Sequence, residues 1–457
     1  MSGQSIGTKA RRLGGVLGVA ALVAAGAATP AAAAVGTWQK GGLALGLNLQ
    51  LAAGYFNTDN TNFGAGVDGA GEPGNTDVNW SEGYVKPGVD LSYTTPAAGT
   101  FYGAWTLVGS GTRQDGDALG TTGGHPEHFD QEHLFAGWRS GDLFPGLGTD
   151  ALDVSFGQRE LQVGDGFLIW DGTFDFDDRG AYWLAPHLAF KRAGLVRLQT
   201  QPVGGELFYL KSDHSQGHTE LVGANVEYRS EALGTAGAMY LNVLDSDFDT
   251  RDGMQVLDLR AQGTPLAPWG VKDLFLSFEY VYERNRDSAA DLDATAWYLE
   301  GGYTLSALPW SPSLSYRYSR FSGSEPGSAD VEDFDPLFYG FSRGWGTWYM
   351  GEVTGEYLLF NSNEEVHMVH LSGSPTDSLG VGAVYYKFLL NEKQYYGTAV
   401  SDDEFADEVN VYADWAVNDR LWVSGVFAVA YPGDGAKSAF GASENYTLFE
   451  VYATVTF

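Results

Sequence analysis

Asp245, Asp247 and Asp249, in the stretch DSDFDTRDG, occupy alternate positions, the spacing at which the first ligands of a calcium loop fall. Thr250 stands where such a loop turns on glycine, and Val256 stands where its bidentate glutamate belongs, so a loop-bound Ca2+ there would rest on these three carboxylates. Asp171, Asp175, Asp177 and Asp178 form a second acidic group of the same kind. His125, His128 and His133 offer imidazoles for a metal, whereas His367 and His370, three apart on a strand, point to opposite faces. GFSRG (340–344) has the spacing of a nucleophile elbow, and GAGVDG (64–69) that of a dinucleotide loop. Each of those chemistries needs a strand, a turn and a helix in succession, and neither stretch has them. The expectation is that this chain is not an enzyme.

A second set of residues is defined by parity. Arg139, Arg159, Lys191, Arg197, Arg229, Arg260 and Arg317 fall in strand-like runs on the face opposite the apolar residues. Arg317, for example, opposes Leu314, Tyr316 and Tyr318, and Lys191 and Arg197 oppose Leu188, Phe190, Val196 and Leu198. Asp258 and Glu279 share that polar face with Asp153, Glu227, Glu283, Glu300, Asp414 and Glu450. Two readings follow. The charges are wall residues paired across strands in a wet interior, or they line a path in which arginines hold anionic or hydroxyl-rich solutes and facing acids set a transverse field.

Either reading needs strands to carry the charges. Residues 1–34 have a basic start at Lys9, Arg11 and Arg12, an Ala/Gly/Val/Leu stretch and a small-residue cleavage site, which predicts a cleaved signal peptide. No cysteine is present, so disulfides and thiolate metal sites are excluded. Beyond residue 34 no run of eighteen apolar residues occurs, which excludes a membrane-spanning helix. Aromatics make up 14% and glycine 62 of 457 residues, a composition that suits twisted sheets with tight turns. Loss of the signal takes the net charge from -32 to -35, which argues against nucleic acid as a partner.

From Leu43 onward, short runs of period-two alternation predict about eighteen strands, the last at 446–457. Their connections alternate short and long, with long loops at 57–81, 112–129, 161–186, 322–364 and 432–445. An even strand number with this asymmetry predicts an all-β fold: a transmembrane antiparallel β-barrel over 35–457, with short periplasmic turns and long extracellular loops. The last strand should close on the first, so that no edge meets lipid.

GQRELQVGDGFLIWDGTFDFDD (157–178) and FDPLFYGFSRGWGTWYMGEVTGEYLLFNSNEEVHMVHLSGSPTDSLGVGAVYYKF (334–388) resemble the alginate-export family of outer-membrane barrels. The resemblance implies an eighteen-stranded channel with an arginine-rich constriction partly covered by loops, to which Arg159, Arg317 or Arg320 would contribute. The function expected is a passive outer-membrane channel, a porin, for a hydrophilic small molecule or polysaccharide, an anionic sugar if the family's substrate carries over. The rival is a structural or adhesive barrel whose acidic loops bind a surface partner or a divalent cation. The site is the outer membrane of a Gram-negative bacterium, with outer-membrane lipid and lipopolysaccharide around a monomer. Phe457 ends YATVTF, which is similar to the signal that the outer-membrane assembly machinery reads.

Overall fold

A strand with one apolar and one polar parity is stable only where those faces meet different solvents, and the observed sheet provides both. The structure is a computed structural model that describes residues 36–69, 72–286, 291–340 and 351–457. The signal segment and most of GFSRG lie outside the described residues. The barrel strands are β1 (Leu43–Asp59), β2 (Asp77–Thr95), β3 (Gly99–Gln114), β4 (Glu127–Arg139), β5 (Leu152–Arg159) and β6 (Phe190–Leu198). They continue as β7 (Val203–Lys211), β8 (Glu220–Ser230), β9 (Gly234–Asp245), β10 (Gln255–Gly263), β11 (Leu274–Asn285) and β12 (Leu292–Thr304). The series ends with β13 (Ser313–Phe321), β14 (Glu364–Thr376), β15 (Leu379–Leu390), β16 (Glu404–Ala416), β17 (Leu421–Pro432) and β18 (Tyr446–Thr456).

Each strand pairs antiparallel with the next in the chain, and β18 returns to β1 with Thr447 opposite Asp59 and Thr456 opposite Gln50. The result is a closed barrel of eighteen strands. A further strand, Gly36–Lys40, was not expected from the alternation. It pairs with Leu43–Leu47, the stretch of β1 edge that β18 does not reach. No described helix is long and apolar enough to cross a membrane. The outward parity is apolar and aromatic, as at Leu276 and Phe278 of β11 or Leu314 and Tyr316 of β13.

Connections at one end are tight, such as 96–98, 231–233 and 377–378. At the other end 60–76, 160–189, 322–363 and 433–445 are long, as the sequence predicts. Two of these depart from expectation by turning inward. Residues Leu161, Val163, Phe167, Trp170, Tyr182 and Trp183 of one loop, and Phe334, Phe338 and all of Gly351–Leu359 of the other, are buried inside the barrel. They share one core with the wall residues Leu195, Leu210, Leu241, Val256 and Val281. The physical reason is that the inner parity near this end is apolar, and burying it requires something inside.

Phe190 shows the same effect. Parity alone places it toward lipid, but at the start of β6 its ring lies 5.2 Å from that of Phe338, edge to face, and is fully buried. Leu188 likewise belongs to the inward loop rather than to a strand. The loops at 60–66 and 433–445 add to the same core: Phe63, fully buried, packs on Phe405 and on Phe440 of the short helix α1 (Asp434–Phe440).

Because the chain has no cysteine, single cysteines report this topology directly. An impermeant maleimide should label Asp434→Cys in intact cells, reach Ser378→Cys only after the outer membrane is permeabilised, and leave Thr354→Cys unlabelled until the protein is unfolded. Labelling of Thr354→Cys in the native barrel would contradict the inward fold.

Candidate functional site in the barrel lumen

In a barrel wall every backbone amide is consumed by the neighbouring strands, so an inserted loop must find its hydrogen bonds in itself or in side chains. Both sources are used. The two loops bond each other: Trp170 N–H donates to Phe338 O at 2.8 Å, Phe338 N–H to Leu168 O at 2.9 Å, and Gly340 N–H to Gly166 O at 2.8 Å. The rest are taken by wall carboxylates. Glu82 accepts the Leu184 N–H at 2.6 Å, Glu132 those of Leu188 and Ala189 at 2.9 and 3.2 Å, and Glu283 that of Asp335 at 2.9 Å.

The fullest case is Glu408 of β16. Its carboxylate accepts the N–H groups of Glu352, Val353 and Thr354 at 2.8, 3.2 and 2.7 Å, capping the first turn of a π-helix, Gly351–Leu359. Three orphan donors of the helix terminus are thus satisfied by one carboxyl group. Gly351 makes room for it: its φ is +84°, and a Cβ there would lie 2.6 Å from Glu408 Oε1. Farther along the helix, Tyr182 O–H donates to Glu356 Oε1 at 2.6 Å. Burial, with Glu352 nearby, raises the Glu356 carboxyl well above the usual range against the lowering effect of that hydrogen bond.

The predicted bases stand on the inner face from β4 to β13 and divide into two groups by exposure. Toward the tight-turn end the heads are accessible. Arg139 lies 3.4 Å from Asp153 with its side chain 46% exposed, and Arg229 lies 2.8 Å from Glu227 at 41%. Arg197 meets Glu206 at 2.8 Å; at the opposite, long-loop end, where Arg159 also stands, Lys191 lies 2.9 Å from Asp130 and 3.4 Å from Asp213. Asp213, in a loop, would be raised by burial, but the Ser215 N–H, Arg179 and Lys191 hold it at about 2. Arg159 donates to Ser155 at 2.6 Å and lies over the Phe135 ring.

Deeper, Arg260 is 8% exposed and bonds Asp258 at 2.9 Å, Glu227 at 2.8 Å and Asn225 at 2.6 Å. Arg317 is 3% exposed and lies 4.0 Å from Glu300. Asp258 and Glu279 are buried too, with Glu279 opposite Arg260 in the sheet. Arg139 and Arg229 near the tight turns are thus partly exposed, and Arg260 and Arg317 are buried. Gly164, at φ +59°, sits directly against the Arg260 side chain, where a Cβ would approach it to 2.8 Å. A space of about 30 Å³ remains there, lined by Asp165, Glu227, Arg260, Glu279 and Tyr298 among others, room for about one water.

From β14 round to β2 the inner face is different: Tyr386, Glu408, Tyr412, Asp414, Tyr446, Glu450, Tyr452 and Glu82. An arginine-bearing wall thus faces an acid- and tyrosine-bearing one.

The candidate metal ligands are not gathered. Asp245 ends β9, and Asp247 lies 2.7 Å from His218 Nδ1 with its side chain exposed. Among the described residues, the group of three whose ligand atoms lie within 4.8 Å of one another is Glu132, His133 and Glu160. It contains the His133 of the sequence reading but neither His125 nor His128, and Lys86 already lies 3.4 Å from Glu132, so it is an ion-pair cluster. Asp175 accepts from the His187 N–H at 2.9 Å and lies 2.7 Å from its ring. GAGVDG enters a hairpin, Val67–Gly69 with Glu72–Asn75, and not a strand-to-helix turn. Glu82, Glu132 and Glu408 were missed because their partners are backbone amides that no motif announces, although parity does place them inside.

A closed barrel with a charged interior and inward loops defines a channel of the outer membrane for hydrophilic solutes. The Alginate export family model matches residues 194–448, and the chain belongs to that family. No curated protein matches it in sequence. In fold it is similar to Acinetobacter baumannii OccAB2, at 12% identity over 90% of this chain and 98% of that one, with a TM-score of 0.58. It is also similar to Pseudomonas aeruginosa OccK5 (OpdH), at 12% identity over 90% and 98% with a TM-score of 0.55. The protein is an outer-membrane channel of a Gram-negative bacterium.

If Glu408 anchors the π-helix, Glu408→Gln should weaken docking by about 2 kcal/mol, the scale of a lost helix cap. Gly351→Ala should act in the same direction. In planar lipid both variants should spend longer in high-conductance states with the barrel itself intact. Unchanged single-channel traces in both would refute the anchoring role.

Proposed function

We propose that solutes cross passively along the arginine-bearing wall, and that the wall serves anionic or hydroxyl-rich solutes such as an acidic sugar or polysaccharide. The observation that carries this reading is the row of accessible bases, Arg139, Arg197 and Arg229, near the tight-turn end, each held by one acid. A guanidinium held on one side by a carboxylate keeps further donors for a passing hydroxyl or carboxylate. Its partner fixes its position without removing it from water. Arg260 and Arg317 have a different task, holding the wall beneath the inward loops.

Replacing Arg139, Arg197 and Arg229 together by Gln should leave folding nearly unchanged, since exposed pairs contribute about 0 to 1 kcal/mol each. The reversal potential in a salt gradient should shift toward cations, and flux of an anionic sugar should fall more than that of a neutral one. Arg260→Gln should instead destabilise the barrel by roughly 3 kcal/mol, because it leaves buried carboxylates unpaired. A well-folded triple variant with an unchanged reversal potential would overturn the proposed path.

The same reading takes the barrel as a monomer and Phe457 as the group presented to the assembly machinery. Phe457 exchanges backbone hydrogen bonds with Leu49 at 2.8 and 3.1 Å, and Arg420 lies 5.3 Å from its ring. Phe457→Asp should reduce outer-membrane insertion far more than Thr456→Asp; equal effects would refute the assignment.

A further inference from the structure

The outward face of the barrel is not evenly covered. Ala453 of β18 lies opposite Ala53 of β1, Ala53 opposite Gly83 of β2, and Gly83 opposite Gly111 of β3, so four small residues form one unbroken row across the sheet. The same parity carries the exposed side chains of Tyr55, Val85, Phe129 and Val451, which places the row on the lipid side of the wall. Gly109, two residues before Gly111 and opposite Phe129, widens it. The result is a groove of about 980 Å³ in the outer wall, flanked by Tyr55, Phe129, Val423 and Val451, as large as a small-molecule site. The backbone at Gly109 does not ask for glycine: its φ is not positive, and a Cβ there would meet only the Phe129 ring, at an ordinary 3.5 Å. Glycine inside a strand forfeits packing and chain entropy, and is accounted for where something must come close to the wall. The groove also has a polar end. Arg113 and Glu127 close it toward the long loops, with Ser81 opposite Arg113. Arg113 donates to Glu127 and to Thr112 O, the latter at 2.8 Å, and the two charged side chains are 50% and 74% exposed, so the pair is readily exchanged for another partner.

We propose that this groove binds a lipopolysaccharide molecule of the outer leaflet, with an acyl chain along the glycine row and a phosphate on Arg113. Its outward parity means that only components of the membrane reach it. Its order, charged at the long-loop end and apolar below, is that of an amphiphile whose head lies at the cell exterior. A guanidinium binds phosphate through paired N–H donors, and the exposed Glu127 can be replaced there. A phospholipid offers the same phosphate, but its leaflet is the inner one, at the other end of the groove. A second copy of the barrel would set apolar, lipid-facing side chains against the charged end. The site does not depend on which solute the channel carries, and its tests do not use transport.

The probe is purified lipid A, the acylated and phosphorylated part of lipopolysaccharide, added to the full-length barrel stripped of lipid in detergent and read by native mass spectrometry. The native protein should retain one lipid A per barrel, in preference to phosphatidylethanolamine. Gly109→Leu, which fills the groove from an outward position, should weaken retention by roughly tenfold, the scale of displacing about two buried methylenes. Arg113→Gln should remove the preference for lipid A over its dephosphorylated form while leaving the latter bound, which separates the head from the chain. Gly301→Leu, an outward glycine of β12 between the exposed Leu276 and Tyr316, lies away from the groove and should change nothing. Lipid A should raise the melting temperature of the native and Gly301→Leu proteins but not that of Gly109→Leu. Should Gly109→Leu fail to fold, Ala453→Leu narrows the same groove from β18 and should give the same loss. No retention by the native protein, equal retention by native and groove variants, equal retention of the phospholipid, or a dimer that the groove substitutions break apart would overturn the proposal.

Discussion

A transmembrane barrel has no backbone hydrogen bond to spare. In hydrocarbon each N–H and C=O must be matched within the sheet, and the pairing of β18 with β1 completes that matching around the ring. The consequence reaches inward as well as outward. Once the ladder is complete, the inner wall presents only side chains, so whatever folds into the lumen is held by them. Residues 160–189, 322–340 and 351–363 bring into the barrel peptide groups that have left water. They satisfy some through each other, and the remaining amides need acceptors. Carboxyl oxygens are good acceptors, and Glu82, Glu132, Glu283 and Glu408 stand where those amides arrive. The acidity of the interior is therefore in part a structural requirement of the inward loops.

This separates the charges of the lumen by task. On the arginine-bearing side, acids and bases alternate across strands: Arg139 lies opposite Asp153, Asp153 opposite Arg197, and Arg197 opposite Glu206. With their bases partly exposed, these pairs add little net stability, but each fixes the direction in which its guanidinium points. On the far side Glu408 and Glu82 accept peptide amides, and Asp414 accepts the Ser424 hydroxyl. The lumen thus has fixed donors on one flank and fixed acceptors on the other.

The barrel was legible because its rule is local. Period-two alternation, tight turns at one end and long loops at the other can each be read within a dozen residues, and the eighteen strands fall where the alternation places them. The bases on the polar parity of β4 to β13 were legible for the same reason. What alternation could not show is which polar positions meet water. Arg229 and Arg260 have the same pattern around them, yet one is open and the other lies under Gly164. Their difference comes from a loop more than sixty residues away in the chain. The strand Gly36–Lys40 was missed because it fills an edge defined by where β18 stops, a fact that belongs to the closed ring and not to its own residues.

The separation of wall from filling also has an energetic consequence. The strands are joined by continuous ladders whose loss would expose peptide groups to hydrocarbon, whereas the inward loops meet the wall through a shared apolar core and through side-chain hydrogen bonds such as those of Glu408 to three helix amides. Such contacts can be exchanged for water, since the lumen opens to solvent and the lipid face does not. The free energy of displacing the loops is thus independent of the free energy that keeps the barrel closed, and the two can differ by a wide margin in one chain. A channel needs that independence. Its wall must be too stable to open in the membrane, while its filling must be able to move without the wall.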